Sequence, residues 1–231
     1  MKVAILGGTG SFGRALATRL ATVGQDEIVI GSRDADRAAA TAAELGKGVT
    51  GATNEEAVRG ADLAVLAVNA DAALATAHAV AGALGSTPLL SVASAISFEK
   101  GRGMLPDPDA LSLAERVQQI VDAPVAAGLH SVAASNLEEA PDEDALVCGD
   151  DETAKTLSLE LAGRVVGGRA LDAGPLASAR ALEGLTAVIV NLNRRYKAHA
   201  GVRVTGVGST EPEKSEAAGS AGGGSGRAGV E

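Results

Sequence analysis

The run Val3-Ala4-Ile5-Leu6-Gly7-Gly8-Thr9-Gly10-Ser11-Phe12-Gly13 constrains this chain more than any other. Four apolar residues enter a glycine cluster spaced G-x-G-x-x-G at Gly8, Gly10 and Gly13. A helical pattern with apolar Phe12, Leu16, Leu20 and Val23 follows at once. Glycines alone are a weak signal, but a strand leading in and a helix leading out make them a specific one. On this reading Gly8 permits the tight turn, Gly10 lets backbone approach a pyrophosphate, and Gly13 allows close helix–strand packing. The helix N-terminus then faces the anion. A turn with no ligand is the weaker explanation, because clustered glycines sacrifice local stability.

The rest of the first 125 residues repeats the strand–helix alternation. Strands are expected over 27–30, 49–52, 62–68 and 88–92, and helices over 34–45 and 70–84. The apolar runs at 62–68 and 88–92 are typical of parallel strands buried on both faces. The expected fold is α/β, a Rossmann-type doubly wound parallel sheet with a smaller C-terminal α/β domain. We divide the chain into a dinucleotide-binding domain over 1–123 and a smaller domain over 124–207 that completes an interdomain cleft. Residues 93–112 carry Gly101, Gly103, Pro106 and Pro108 and read as a long loop. A helix is expected from Leu113, strands near Val125 and ending at Cys148, a helix over 150–165, a short strand over 170–172 and a long helix over 175–200. From Gly208 onward the chain is rich in Gly, Ser, Ala and Glu and is expected to be disordered.

Which dinucleotide is decided at the end of the second strand. An enzyme using NAD usually carries Asp or Glu there for the ribose 2′-hydroxyl. This chain has Gly31-Ser32-Arg33, with Arg37 one helical turn further on. A hydroxyl and two guanidinium groups suit a 2′-phosphate through charge-assisted bonds, so NADP(H) is favoured over NAD. Asp34 dissents in charge but is better placed as a helix N-cap.

Composition closes off other classes. Lys and Arg total 20 against 29 Asp and Glu, for a net charge of −9, which argues against a nucleic-acid partner. The one cysteine, Cys148, excludes an internal disulfide and fits a reducing compartment. No apolar run reaches membrane-spanning length, so a soluble, cytoplasmic protein is expected. His78, His130 and His199 lie far apart in sequence and suggest no metal site.

Beyond the glycine loop, the stretches VAILGGTGSFGRALATRLATVG, IVIGSR, ADLAVLAV, GLHSVAA, VCGDD and LDAGPLASARALEGLTAVIVNLNRRY resemble the NADPH-dependent reductases of the deazaflavin coenzyme F420. They span residues 3 to about 196, and the last three groups lie outside anything dinucleotide binding requires. The resemblance implies NADP contacts from Thr9, Gly10, Ser11, Phe12, Ser32, Arg33 and Arg37, with Val68 flanking the cofactor. It also implies a deazaflavin near the loop 91–97, which includes Ser94, and near the segment 129–134. There His130 and Val132 would border the tricyclic ring and Ala134 the nicotinamide. A homodimer is the family expectation, which the long apolar C-terminal helix supports. The family tends to carry proline after the fourth and fifth strands and inside the His segment, whereas this chain has none at those places; without proline, loops are looser.

The expected reaction moves a hydride between two cofactors, so no catalytic acid or base is assigned. A reductase of another small substrate (an imine, ketone, flavin or ferric complex) would need a proton donor in the cleft. Between Ser91 and Ala134 only His130 offers one. A non-catalytic NADP sensor would need no second ligand at all. Cys148 reads as a small buried residue, and Asp150-Asp151-Glu152 as helix capping.

Overall fold

The computed structural model describes residues 1–46, 48–105, 107 and 110–207; the tail from Gly208 lies outside the described residues. In chain order the elements are β1 (Lys2–Leu6), α1 (Ser11–Val23), β2 (Glu27–Ser32), α2 (Ala35–Leu45), β3 (Val49–Thr53), α3 (Asn54–Ala57), β4 (Leu63–Leu66), α4 (Ala70–Leu84) and β5 (Leu89–Ser91). They continue as β6 (Ser97–Glu99), β7 (Arg102–Met104), α5 (Leu113–Gln118), β8 (Val125–Gly128), α6 (Ala134–Leu137), β9 (Ala145–Gly149), α7 (Glu152–Val165), β10 (Ala170–Asp172) and α8 (Ala179–Tyr196).

One eight-stranded sheet runs in the order β10-β9-β8-β5-β4-β1-β2-β3. Side chains alternate across it. Val3 and Ile5 of β1 face a core with Leu16 and Leu20 of α1 and Leu161 and Val165 of α7. Ala4 and Leu6 face the other core, with Val80 and Leu84 of α4, Val117 of α5 and Leu182 of α8. Both faces are therefore covered by helices, which is why the central strands read as unbroken apolar runs. The expected α/β doubly wound sheet is present.

The C-terminal part does not build a separate sheet. β8 pairs in parallel with β5, in the register Leu89↔Val125. β9 then reverses direction against β8, and β10 runs parallel to β9. Residues 124–207 thus extend the edge of the same sheet and add α6, α7 and α8 around it.

Some local expectations need correcting. The loop expected over 93–112 contains an antiparallel hairpin, β6 with β7. The long helix begins only at Ala179, after a 3-10 turn over Leu176–Ser178. The short helix α3 was not expected, although Thr53 and Glu56 form a capping box, a sequence-level start signal. Among the described residues no helix is long and apolar enough to cross a membrane, and no cluster of His, Cys, Asp and Glu is suited to hold a metal ion.

Candidate active site

A cleft of about 630 Å³ lies over the C-terminal ends of the parallel strands, where open α/β sheets bind ligands. Its walls come from the glycine loop, the end of β2, the start of α4, the segment after β5, and one residue of α8.

The glycine loop is built for close approach. Gly7, not Gly8, takes the left-handed conformation of the turn, at φ 76°. A Cβ on Gly7 would stand 2.5 Å from Val68 Cγ1. Gly8 answers a packing demand instead, since a Cβ there would meet Ile30 Cγ2 and the Ile5 carbonyl at 2.9 Å. A Cβ on Gly13 would lie 2.7 Å from Gly8 Cα, so loop and helix touch through backbone, as the spacing predicted. Gly10, Thr9, Ser11 and Phe12 border the cleft. Gly10 is the N-cap of α1, with no side-chain cap and no acidic residue in the helix's first turn. Its N-terminal N–H groups and positive dipole end are left for an anion.

At the end of β2, Ser32, Arg33, Asp34 and Arg37 line the same cleft. Ser32 is buried, and its Oγ accepts a bond from the Asp34 N–H at 3.2 Å, leaving its hydroxyl hydrogen to donate. Asp34 is the N-cap of α2, accepting from the Arg37 N–H at 3.1 Å. Arg33 and Arg37 are exposed, and among the described residues neither guanidinium has a carboxylate partner. This end fits a 2′-phosphate. Asn54, which sequence reasoning missed, braces it: its Oδ1 accepts from the Gly7 N–H at 3.3 Å and occupies the space a Cβ on Gly31 would need, 2.7 Å away.

Val68 and Asn69 carry the wall past the glycine loop to Val92, Ala93, Ser94 and Ile96. The Ser94 hydroxyl lies 2.7 Å from that of Thr186 on α8, and Thr186 donates to the His130 carbonyl at 2.8 Å. One turn earlier on the same helix, buried Glu183 accepts from the Ala95 N–H at 3.4 Å and the Ala114 N–H at 3.1 Å. Burial pushes its carboxyl up, against these backbone bonds. The segment that lacks proline is therefore held by α8. Thr186 and Glu183 were also missed; nothing local marks them, since their partners lie 92 and 88 residues away.

The segment after β8 stands apart from the cleft surface. His130 is buried, Val132 packs in the core with Leu129 and Leu137, and Ala134 is the half-buried first residue of α6. None of the three is on the cleft wall. Leu129 turns the chain through a left-handed φ of 62°, a costly conformation for leucine. Burial pushes the His130 imidazole down to about 4, so it is neutral. The Ala93 carbonyl opposes this shift, yet among the described residues neither ring nitrogen has a partner in full hydrogen-bond geometry. The buried hydroxyls of Ser91 and Ser131 likewise find no partner among the described residues. Buried polar groups normally find partners, so these atoms stand out, and they lie behind the cleft wall, not on it.

The model of the family described as NADP oxidoreductase, coenzyme F420-dependent, matches residues 2–95. The F420-dependent NADP reductase of Methanothermobacter marburgensis is 36% identical over 221 residues, covering 89% of this chain and 98% of that protein. The protein of the same name from Methanocaldococcus jannaschii is 35% identical over 223 residues, with the same coverage. A crystal structure of a candidate F420-dependent NADP reductase from Arthrobacter sp. FB24 superposes with a TM-score of 0.77 at 27% identity. It covers 89% of this chain and 99% of that one.

Proposed function

The chain belongs to the family of F420-dependent NADP reductases, and from that premise we propose that its cleft transfers a hydride between NADP(H) and the deazaflavin coenzyme F420. The observation that carries the reading is the cleft's uncapped α1 terminus, with the exposed Arg33 and Arg37 at one end and the Ser94 segment at the other.

We assign Thr9, Gly10, Ser11 and Phe12 to the pyrophosphate, which the first N–H groups of α1 would receive. Ser32, Arg33 and Arg37 hold the 2′-phosphate, and Gly8 and Gly13 shape the loop beneath it. Val68 and Ser94 flank the nicotinamide end, while His130, Val132 and Ala134 form the backing of the deazaflavin region. Both rings supply the redox chemistry themselves, one giving the hydride that the other takes. The protein's part is to hold the reacting atoms about 3–3.5 Å apart and to exclude water. A neutral His130 supports that division, because it carries no charge that would oppose either ring.

We further infer a homodimer acting in the cytoplasm on small-molecule cofactors, with no nucleic acid. Exposed Phe98, Met104 and Leu105 beside exposed Val188, Leu192 and Tyr196 of α8 give an apolar surface suited to a second copy. The test of function is direct. Purified protein mixed with NADPH and coenzyme F420 should bleach the deazaflavin absorbance; tight NADPH binding with no bleaching would sink the proposal.

A further inference from the structure

The hydroxyl pair at the far end of the cleft has a fixed direction. The His130 carbonyl can only accept, so the single hydroxyl hydrogen of Thr186 is committed to it, at 2.8 Å. At 2.7 Å from Thr186 Oγ1, Ser94 must then be the donor of its own pair. Both residues line the cleft. With its hydrogen turned toward α8, Ser94 presents only lone pairs to a ligand. The neighbouring Ala95 N–H is taken up by Glu183, so the segment offers no competing donor from that group. Thr186 and Glu183 stand one helical turn apart and grip adjacent residues, which holds the orientation.

We propose that Ser94 is a specificity-determining acceptor that reads an amide or imide N–H on the bound cofactors, and that Thr186 is the positioning residue that sets its polarity. The inference rests on the hydride-transfer reading above. Two sources carry that chemistry: the carboxamide of the nicotinamide and the imide edge of the deazaflavin. A ligand presenting only a carbonyl would face lone pairs with lone pairs.

The test uses equilibrium binding to the full chain of NADP+, of its 3-acetylpyridine analogue (which keeps the carbonyl but lacks the amide N–H), and of coenzyme F420. If the carboxamide is the donor, the wild type prefers NADP+ over the analogue by about 3- to 10-fold beyond any inherent difference, and Ser94→Ala removes that share. If the imide is the donor, Ser94→Ala instead weakens coenzyme F420 by the same factor. Thr186→Val should reproduce the Ser94→Ala result, and Thr186→Ser should restore wild-type discrimination. Should Thr186→Val fail to fold, Ser94→Ala and Thr186→Ser still decide the matter. Ser94→Ala changing none of the three affinities by more than twofold, or weakening NADP+ and its analogue equally with coenzyme F420 unaffected, overturns the inference. A wild type that binds neither cofactor would instead sink the functional reading itself.

Discussion

The two ends of the cleft are built in opposite ways. At the glycine-loop end, nearly everything that borders the cleft lies within residues 7–37, the loop backbone together with Ser32, Arg33 and Arg37. At the Ser94 end, the wall is assembled from β5's following segment and a helix some ninety residues later. The first end is rigid because its atoms are in contact through glycine. The second is rigid only as long as a few polar bonds persist.

Breaking that contrast at its strongest point means filling the glycine contact. Gly13→Val would press side-chain carbons into Gly8 Cα and the Gly7 carbonyl, which stand 2.7 and 2.8 Å from a Cβ. We expect a loss of several kcal/mol, read by denaturant unfolding, and NADPH binding weakened more than a hundredfold. A variant that melts and binds like wild type would show that the loop is not rigid.

The next effect is at the opposite end and depends on pH. Between about pH 4 and 6.5 the folded chain binds fewer protons at His130 than the unfolded chain, whose imidazole has its ordinary value of 6.5. His130 therefore makes stability climb by ~3 kcal/mol as pH rises through that window, and adds no slope above it. Glu143, raised by burial to about 7, slopes the other way, so the quantity to measure is wild type minus His130→Asn. That difference should rise from pH 4 to 6.5; a flat difference would mean that the ring is hydrated or paired.

Selectivity is a smaller matter of two exposed cations. Arg33→Ala should cut the preference for NADPH over NADH by roughly tenfold, and less at high salt, since an exposed charge pair is screened. Equal preference before and after would remove Arg33 from the 2′-phosphate site. Smallest is Glu183→Gln. The amide keeps one acceptor oxygen and must turn N–H groups toward the Ala95 or Ala114 N–H. We expect a cost of about 1 kcal/mol in thermal unfolding, with Ser94-dependent discrimination reduced before stability is.

The contrast also explains what could be read from sequence. The glycine loop, Ser32, Arg33, Arg37 and the Asp34 cap are local patterns, each legible within one strand–turn–helix unit. Even there, the turn's left-handed residue is Gly7, a detail that spacing alone misassigned to Gly8. That β1 to β5 are strands of one parallel sheet also followed from the strand–helix alternation. What escaped was non-local. The reversal of β9, the hairpin of β6 and β7, and the grip of Thr186 and Glu183 depend on pairing between distant segments, and residue type at either end is unremarkable. His130, Val132 and Ala134 were placed by resemblance, and the fold sets them back from the cleft surface.

The reversed direction of β9 has an electrostatic outcome. Because Gly149 pairs with Ala126 near the start of β8, the acidic run Asp150-Asp151-Glu152 leaves the sheet at the end away from the cleft. A strand of about five residues spans roughly 17 Å, about two Debye lengths at physiological salt. In a chain of net charge −9, that separation keeps one block of negative potential out of reach of an arriving polyphosphate. Had β9 run parallel to β8, the same three carboxylates would stand at the cleft mouth and slow every encounter with the cofactor.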